Sequence, residues 1–405
     1  MPTIIGSTAV TTTGELGMRR TDANSSLIKR EVREAIYNFK PYQTPITQFF
    51  MANKTAKYGS GNPKFELQED VLVPHTFTPT TGLTGGGTTE TFTVGASNVN
   101  LFKVGTMFHI ANNGQTLRVT AISGATTVDI IAVDGGNITA STTDMTHIII
   151  GSAFAEGAAK ASAISTVSTF PYNYTQIQKK AITMSGTQMA SVNYGGSDWT
   201  NQRLKATEEW KLDMERSWIM GVRNLVAASA STGAIRTSGG MLDTTSIGIT
   251  DRSQFAGSGF ATEEFFFNTY CKNLFAKGSN MKTLYCGADA LIGINGYQRV
   301  KQQTRVAEKE YGVDVTRIIT PFGAANLVWH PILEGYYSNW VIGVDRDSYM
   351  KYVYLNGNGV NRDMQYQDNI QNVGDDARSA QYLAEVGLEL AGGAQGVHRV
   401  LYGGA

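Results

Sequence analysis

The sequence of 405 residues has little cysteine and no excess of charge of either sign. Two cysteines, Cys271 and Cys286, are too few for a disulfide framework, so we interpret them as reduced thiols of a cytoplasmic protein. Lys plus Arg number 34, and Asp plus Glu also number 34. Proteins dedicated to nucleic acids usually carry a basic excess, so tight binding to a polyanion or a membrane surface is not expected.

Long apolar runs are also missing. No stretch approaches the ~18 apolar residues of a membrane-spanning helix, and Met1–Val10 lacks the basic and apolar regions of a secretion signal. The sequence therefore predicts a soluble product with no membrane partner. Apolar residues still make up 41% of the chain, which is enough for a sizeable core divided among about two or three domains.

Residue patterns of catalysis are absent too. The five histidines (residues 75, 109, 147, 330 and 398) are not spaced like metal ligands, and there is no phosphate-binding glycine loop or nucleophile elbow. Asp345-Arg346-Asp347 resembles the start of a calcium loop but lacks its later ligand and glycine. Gly374-Asp375-Asp376 is interpreted as a solvated turn. We predict no catalytic residue, no cofactor and no metal, and hence no enzyme.

The first part of the chain has the composition of an arm. Residues 1–24 are rich in Thr, Gly and Ser and cannot bury enough apolar surface to offset their ordering entropy. A short amphipathic helix is expected after Ser26 and ends at Pro41. Residues 1–57 hold eight Lys or Arg and four Asp or Glu, which we interpret as a solvated arm in preference to a DNA-binding one.

Residues 76–155 have a different character. They contain only six charged residues, and short β-prone runs alternate there with turn signals such as Asn113-Gly114. This pattern predicts a small all-β module inserted in a longer excursion, of which residues 57–79 and 154–171 are the two limbs.

The rest of the chain predicts an α+β fold. A long helix is expected at about 200–228, because Trp210, Met214, Trp218 and Val222 recur every four residues. After Thr262, predicted helices and strands alternate, including a helix at 263–277, a helix near 288–303 and strands at 282–286, 313–319, 326–329, 340–344, 384–390 and 396–402.

Three segments carry a resemblance to a known family: Phe39–Pro45, Gly151–Gly157, and Tyr311–Val315 with the following Pro321-Phe322-Gly323. Together with the order of elements, they resemble the major head (capsid) proteins of tailed bacteriophages with the Hong Kong 97-type fold, in a subgroup with a β insertion in the extended loop.

The resemblance implies a division of the chain into four parts. Residues 1–56 would form the N-terminal arm, and residues 57–171 the extended loop (E-loop) with its insertion at about 88–150. The peripheral domain would comprise 172–254 and 376–405 with the long spine helix, and the axial domain would comprise 255–375.

The resemblance also implies a role and partners. The chain would self-assemble through hexamers and pentamers into an icosahedral head enclosing double-stranded DNA, would be assembled in the host cytoplasm and would reside in the virion. A short arm implies a separate scaffolding protein; a portal and a decoration protein are further expected partners, and the packaged DNA would be contacted weakly and nonspecifically. Lys57 and Lys64 lie near the excursion, but no partner for a covalent cross-link is marked, so none is predicted.

Two other classes are weighed against this one. The Thr- and Gly-rich module would also suit a tail-tube, adhesin or surface-layer subunit, which the long helix and the missing signal peptide disfavour. An enzyme built on the part after Thr262 would need a convergent polar cluster, which the sequence does not offer. Physical reasoning favours the shell, because a sparse arm and a thin excursion become stable only when they are laid across neighbouring copies.

Overall fold

The computed structural model describes residues 44–404, except 112, 144, 193–195, 230–232, 246, 298–304 and 307–315. The predicted arm helix lies outside the described residues. The fold is mixed α+β, as predicted, and most of its elements are strands. It divides into two compact units. One unit is Glu66–Pro171, and the other is formed by the described residues on either side of it.

Strands outnumber helices in the described part of the chain. The helices are α1 (Pro45–Ala52), α2 (Gly186–Ala190), α3 (Asp198–Met220), α4 (Glu263–Phe265), a π-helical stretch (Phe266–Cys271), α5 (Lys272–Leu274), α6 (Ala288–Gly296) and α7 (Arg346–Tyr349). The strands are β1 (Lys57–Ser60), β2 (Lys64–Glu66), β3 (Thr76–Phe77), β4 (Thr89–Thr93), β5 (Thr106–His109), β6 (Thr116–Ile122), β7 (Thr127–Ala132), β8 (His147–Ser152), β9 (Tyr172–Tyr174), β10 (Gln176–Ser185), β11 (Asn224–Val226), β12 (Ile235–Thr237), β13 (Arg252–Ser258), β14 (Met281–Cys286), β15 (Arg305–Val306), β16 (Thr316–Thr320), β17 (Gly323–Trp329), β18 (Val341–Val344), β19 (Met350–Gly357), β20 (Val360–Asn361), β21 (Gln365–Gln367), β22 (Ala377–Leu390) and β23 (Arg399–Gly404).

The unit Glu66–Pro171 contains one six-stranded sheet in the order β3-β8-β5-β6-β7-β4. Its strands alternate between buried and half-exposed side chains, as β7 does with Val128, Ile130 and Ala132 inside. Inward phenylalanines and aliphatic residues of the sheet form its own core. Five of its strands, β4 to β8, lie within two residues of the predicted runs, whereas β3 was not predicted.

The second unit contains a six-stranded sheet with main order β1-β19-β22-β10, in which β20 pairs with β19 and β21 with β22. β10 runs antiparallel to β22 over ten residue pairs, from Gln176↔Val386 to Ser185↔Ala377. At the other end of this sheet, β1 pairs in parallel with β19. Lys57 of β1 thus lies opposite Tyr352 of β19, although almost 300 residues separate the two in sequence. Helix α3 packs on this sheet with Trp210, Met214 and Trp218 buried.

The same unit contains a seven-stranded sheet in the order β13-β23-β18-β14-β17-β16-β15. One buried cluster joins it to the six-stranded sheet and α3, through side chains such as Tyr285 and Ile342. A second cluster lies under the π-helical stretch and α6, around Tyr270 and Leu274. The predicted strands 282–286 and 340–344 lie within one residue of β14 and β18, whereas the predicted strand 384–390 lies in β22 of the six-stranded sheet.

The long helix differs from its prediction at the C-terminal end. The periodicity predicts a helix to residue 228, but α3 ends at Met220 and the chain forms a short hairpin of β11 and β12. The chain leaves the helical conformation at Gly221 (ψ 146°), where only glycine fits, because a Cβ atom would lie 2.5 Å from the carbonyl oxygens of Ser217 and Ser238. The periodic residues beyond that point are exposed: Val222 by 62% and Leu225 by 45%.

Other elements also end earlier or follow other partners than expected. The helix predicted near 288–303 ends at Gly296, and residues 298–304 lie outside the described residues.

The predicted boundary at 375–376 does not follow the sheets. β23 pairs with β18 and β13 of the seven-stranded sheet, whereas β19 pairs with β22 of the six-stranded one.

Candidate assembly surfaces

Helix α3 holds the segment that follows the arm through one buried carboxylate. Glu215 is fully buried on α3, and its two oxygens accept hydrogen bonds from the backbone N–H groups of Ile46 at 2.8 Å and Thr47 at 2.7 Å. The Thr47 hydroxyl also donates to it at 2.6 Å. These N–H groups belong to the first turn of α1, which has no partners for them within its own helix, and the carboxylate complements the positive helix end.

The same carboxylate reaches the end of the seven-stranded sheet. His330 is fully buried just after β17, and its Nε2 lies 2.9 Å from Glu215 Oε1. Glu215 therefore joins α1, α3 and the β17 end, and we call these contacts the Glu215 latch. Sequence reasoning missed Glu215; the only signal was an acidic residue directly after Met214 in the apolar stripe.

The chain returns from the excursion at Tyr172, which is held between two cations. The Lys64 Nζ lies 4.2 Å and the Arg223 Cζ 4.0 Å from the centroid of the Tyr172 ring. Arg223 also donates to the Tyr172 carbonyl oxygen at 2.6 Å. The next residue, Asn173, is fully buried and donates to the carbonyl oxygens of Gly239 and Leu388. Strand β9 is thus fastened to the segment that follows α3 and to β22.

The acidic motif at Asp345 lies in a buried polar cluster. Asp345 Oδ2 accepts the Ser279 N–H at 2.7 Å, and the Asp345 N–H donates to His398 Nδ1 at 3.0 Å. Lys282 donates to the carbonyl oxygens of Leu274 and Lys277, at the end of a helix, at 2.8 and 2.7 Å. Burial lowers the pKa of Lys282 to about 8 and that of His398 to about 4. The cluster provides hydrogen-bond donors for the last carbonyl groups of a helix, which is a structural role.

The other predicted positions also have structural places. Gly374 adopts φ +98° in an exposed turn before β22, consistent with the predicted solvated turn. Cys271 and Cys286 are both buried free thiols, and burial raises their pKa values. Among the described residues, no three His, Cys, Asp or Glu side chains lie together as metal ligands would. No helix in the described part of the chain is long and apolar enough to cross a membrane.

The limbs of the excursion expose apolar side chains. Leu67 and Glu69 pair through their backbones with Pro171 and Thr169, so the two limbs run side by side. Almost every residue of 154–170 is exposed. The most exposed large apolar side chains of residues 66–79 and 154–171 are Leu72 (88%), Val167 (86%), Phe170 (58%), Val71 (43%) and Phe154 (43%).

Comparison with solved structures shows the fold. A chain of the "capsid of empty GTA particle computed with C5 symmetry" is similar over 96% of this chain and 100% of its own length, with 8% identity and a TM-score of 0.51. The capsid chain of the native GTA particle covers the same shares with 7% identity and a TM-score of 0.49. A chain of Gordonia phage Cozz covers 98% of this chain and 99% of its own, with 9% identity and a TM-score of 0.45. None of the curated proteins compared matches the sequence significantly.

The fold, with its long helix α3, its six- and seven-stranded sheets and the β unit Glu66–Pro171, is thus similar to that of the capsid chain of the empty GTA particle. The model of the SU10 major capsid protein family matches residues 7–397, and the chain belongs to this family. It is accordingly a major capsid protein of a bacteriophage, a structural protein of the virion that forms the shell.

Proposed function

We propose that this capsid protein builds an icosahedral head around double-stranded DNA with the domain division of the Hong Kong 97-type fold. The six-stranded sheet with α3 serves as the peripheral domain, and the seven-stranded sheet serves as the axial domain around the symmetry axes. Glu66–Pro171 serves as the E-loop with its β insertion, and residues 1–56 as the N-terminal arm. Strand β23 belongs to the seven-stranded sheet, which supports assigning it to the axial domain. Strand β19 belongs to the six-stranded sheet, which supports assigning it to the peripheral domain.

The exposed apolar side chains of the limbs support the proposal that the excursion of one subunit overlaps a neighbouring subunit. Leu72 and Val167 are each more than four-fifths exposed, although burying such a side chain is worth about 1.5–3 kcal/mol. Since the limbs are only two chain segments wide, no core of their own can cover them. Laying them on a neighbouring copy buries this surface, and permanent interfaces of about 2,000 Å² or more are built in this way.

The remaining partners follow from the same role. Pentamers and hexamers of one chain close the shell, a separate scaffolding protein guides assembly in the host cytoplasm, and a portal occupies one vertex. A decoration protein is a further candidate partner. The neutral net charge suits weak, nonspecific contact with packaged DNA, because strong phosphate binding would hold the DNA fast. The chain has no catalytic task in this proposal.

The test is assembly of a limb variant. We expect the double variant Leu72→Ser with Val167→Ser to fold but to yield about tenfold fewer closed particles, because each serine removes apolar surface from the interface. Particles are counted by electron microscopy after coexpression with the other head proteins. Val133→Ser, at a 52% exposed valine just after β7 and outside the limbs, is the matched control and should assemble normally. Normal shells from the double variant would contradict the proposed role of the limbs.

A further inference from the structure

The Asn-Gly dipeptide occurs four times in the chain, beginning at Asn113, Asn295, Asn356 and Asn358. It is the sequence best suited to spontaneous hydrolysis of an asparagine amide, because glycine lets the next backbone nitrogen approach the side-chain carbonyl carbon closely. The reaction also needs a backbone N–H that is not held in a hydrogen bond and a side chain that is free to turn. The structure places the four dipeptides in different settings, so we expect their reactivities to differ.

Two of the dipeptides lie inside regular structure. Asn295-Gly296 forms the end of α6. Gly357, which follows Asn356, belongs to β19 and lies opposite Val360 of β20 in an antiparallel pair. Attack by either glycine nitrogen would first require local opening of a helix or of a strand pair.

Asn113-Gly114 lies in a loop, but three hydrogen bonds hold it. The Gly114 N–H donates to the carbonyl oxygen of Ile110 at 3.0 Å. The Asn113 side chain accepts from the Gln115 N–H at 3.0 Å and donates to the Thr139 carbonyl oxygen at 3.1 Å. The attacking nitrogen and the side-chain amide are thus both fixed in the folded chain.

Asn358-Gly359 is the tight turn between β19 and β20. Its two residues adopt φ +52° and +77°, the positive values of a two-residue hairpin turn, and both are exposed. Among the hydrogen bonds of the described residues, none involves the Gly359 N–H or the Asn358 side chain. Apart from its chain neighbours, no described atom lies within 4 Å of the position that a Cβ atom would take at Gly359. Neither reacting group is therefore held or crowded.

We propose that Asn358 is a modification site at which water converts the side-chain amide to a carboxylate without an enzyme. The Gly359 nitrogen loses its proton and attacks the Asn358 side-chain carbonyl carbon. The new C–N bond closes a cyclic imide, and the side-chain nitrogen leaves as ammonia. Water then opens the imide at either carbonyl, which gives aspartate or isoaspartate, so that the whole reaction consumes only water.

The two products affect the turn differently. Aspartate preserves it, since Asp-Gly also tolerates positive φ at these positions. Isoaspartate adds a methylene group to the backbone and should open the pairing of β20, which is only Val360–Asn361 long. Either product adds one negative charge to a chain that has equal numbers of acidic and basic residues, so the protein becomes more acidic with age.

Mass spectrometry in water enriched with oxygen-18 tests the site. Folded protein is incubated at mildly alkaline and at mildly acidic pH, and the heavy oxygen marks the carboxylates that form during incubation. Trypsin cleavage after Lys351 and Arg362 releases one peptide that contains both Asn356 and Asn358, and fragmentation of this peptide assigns the site. We expect faster conversion of Asn358 in alkali, because the attacking nitrogen must lose its proton.

The other three dipeptides are internal references. We expect Asn358 to convert about tenfold faster than Asn113, where three hydrogen bonds must open first. In the denatured chain, all four sites should convert at similar rates. A folded chain in which Asn113, Asn295 or Asn356 converts as fast as Asn358 would overturn the proposal, and so would an Asn358 that stays intact while the denatured chain reacts.

Variants test the charge that the reaction adds. Asn358→Asp contains one proposed product and should match the electrophoretic mobility of aged wild-type protein. Asn358→Gly keeps a dipeptide that suits the turn but has no amide, so its mobility should stay constant with age. Asn113→Gly is the matched control and should age as the wild type does. An ageing shift that persists in Asn358→Gly would contradict the proposal. These measurements need only the folded subunit, so their outcome is independent of the proposed function.

Discussion

At the scale of single residues, Trp218 is the clearest test of the buried stripe on α3. The side chain is 1% exposed and meets Phe50 and Tyr352 edge to face, with ring centroids 5.8 Å apart in each pair. We expect Trp218→Ala to lower the free energy of unfolding by about 3–5 kcal/mol, because it leaves a cavity among these rings. Denaturant titration measures the change, and a loss below about 1 kcal/mol would contradict the assignment to the core.

His147 predicts a pH dependence in the β unit. The imidazole is fully buried among Phe77, Phe92 and Phe108, with ring centroids 5.4 to 6.5 Å away, and neither nitrogen has a hydrogen-bond partner among the residues that the structure describes. Burial lowers the pKa of His147, because the charged form is disfavoured in this apolar site. The unfolded chain therefore binds the proton more readily than the folded chain does.

Because the unfolded chain binds the His147 proton more readily, acid destabilises the folded β unit. Stability of the unit is complete above the unfolded pKa of about 6.5 and falls as the pH drops below it toward the lowered folded value. We expect His147→Phe to reduce this loss. Hydrogen exchange of the β3–β8 amides at pH 7.5 and 5, corrected for intrinsic rates, measures it. His109→Gln, on the half-exposed face of β5, is the control, and an equal acid response in wild type and His147→Phe would refute the mechanism.

At the scale of elements, the Glu215 latch decides whether α1 stays on α3. We expect Glu215→Ala to lower the free energy of unfolding by about 3–5 kcal/mol, since it leaves buried donors of α1 without an acceptor. Hydrogen exchange of Pro45–Ala52 should accelerate most. Asp213→Ala on the same helix removes only exposed ion pairs with Arg216 and Lys180 and should change stability by less than about 1 kcal/mol. Unchanged protection of α1 in Glu215→Ala would show that the latch is dispensable.

At the scale of the whole molecule, the proposed role of the arm can be tested by truncation. We expect deletion of residues 1–24 to leave a folded subunit, because this Thr-, Gly- and Ser-rich segment has few large apolar residues with which to form a core, yet to impair shell formation. Circular dichroism and particle counts separate the two effects. Normal shells from the truncated chain would show that the arm is not needed for assembly.

Much of the local structure could be predicted, whereas the assembly surfaces could not. The runs in 89–152 were recognisable because apolar and polar residues alternate between turn signals such as Gly114, which adopts φ +72°. The end of α3 was missed because the periodic residues continue past Gly221, the residue at which the backbone leaves the helical conformation. Glu215 gave only one weak signal, an acidic residue next to the apolar stripe, because its hydrogen-bond partners Ile46, Thr47 and His330 are far from it in sequence.

The sequence alone determined what short-range patterns encode: the strands of the β unit, the buried stripe of α3, the neutral charge and the lack of catalytic motifs. Its resemblance to phage head proteins pointed to the family that the match over residues 7–397 shows. Tertiary structure alone decided which strands share a sheet, as when β1 pairs with β19, and which carboxylate holds α1. The reason is physical: periodicity fixes which side of an element is buried, but partners and register depend on surfaces that form only when distant segments meet.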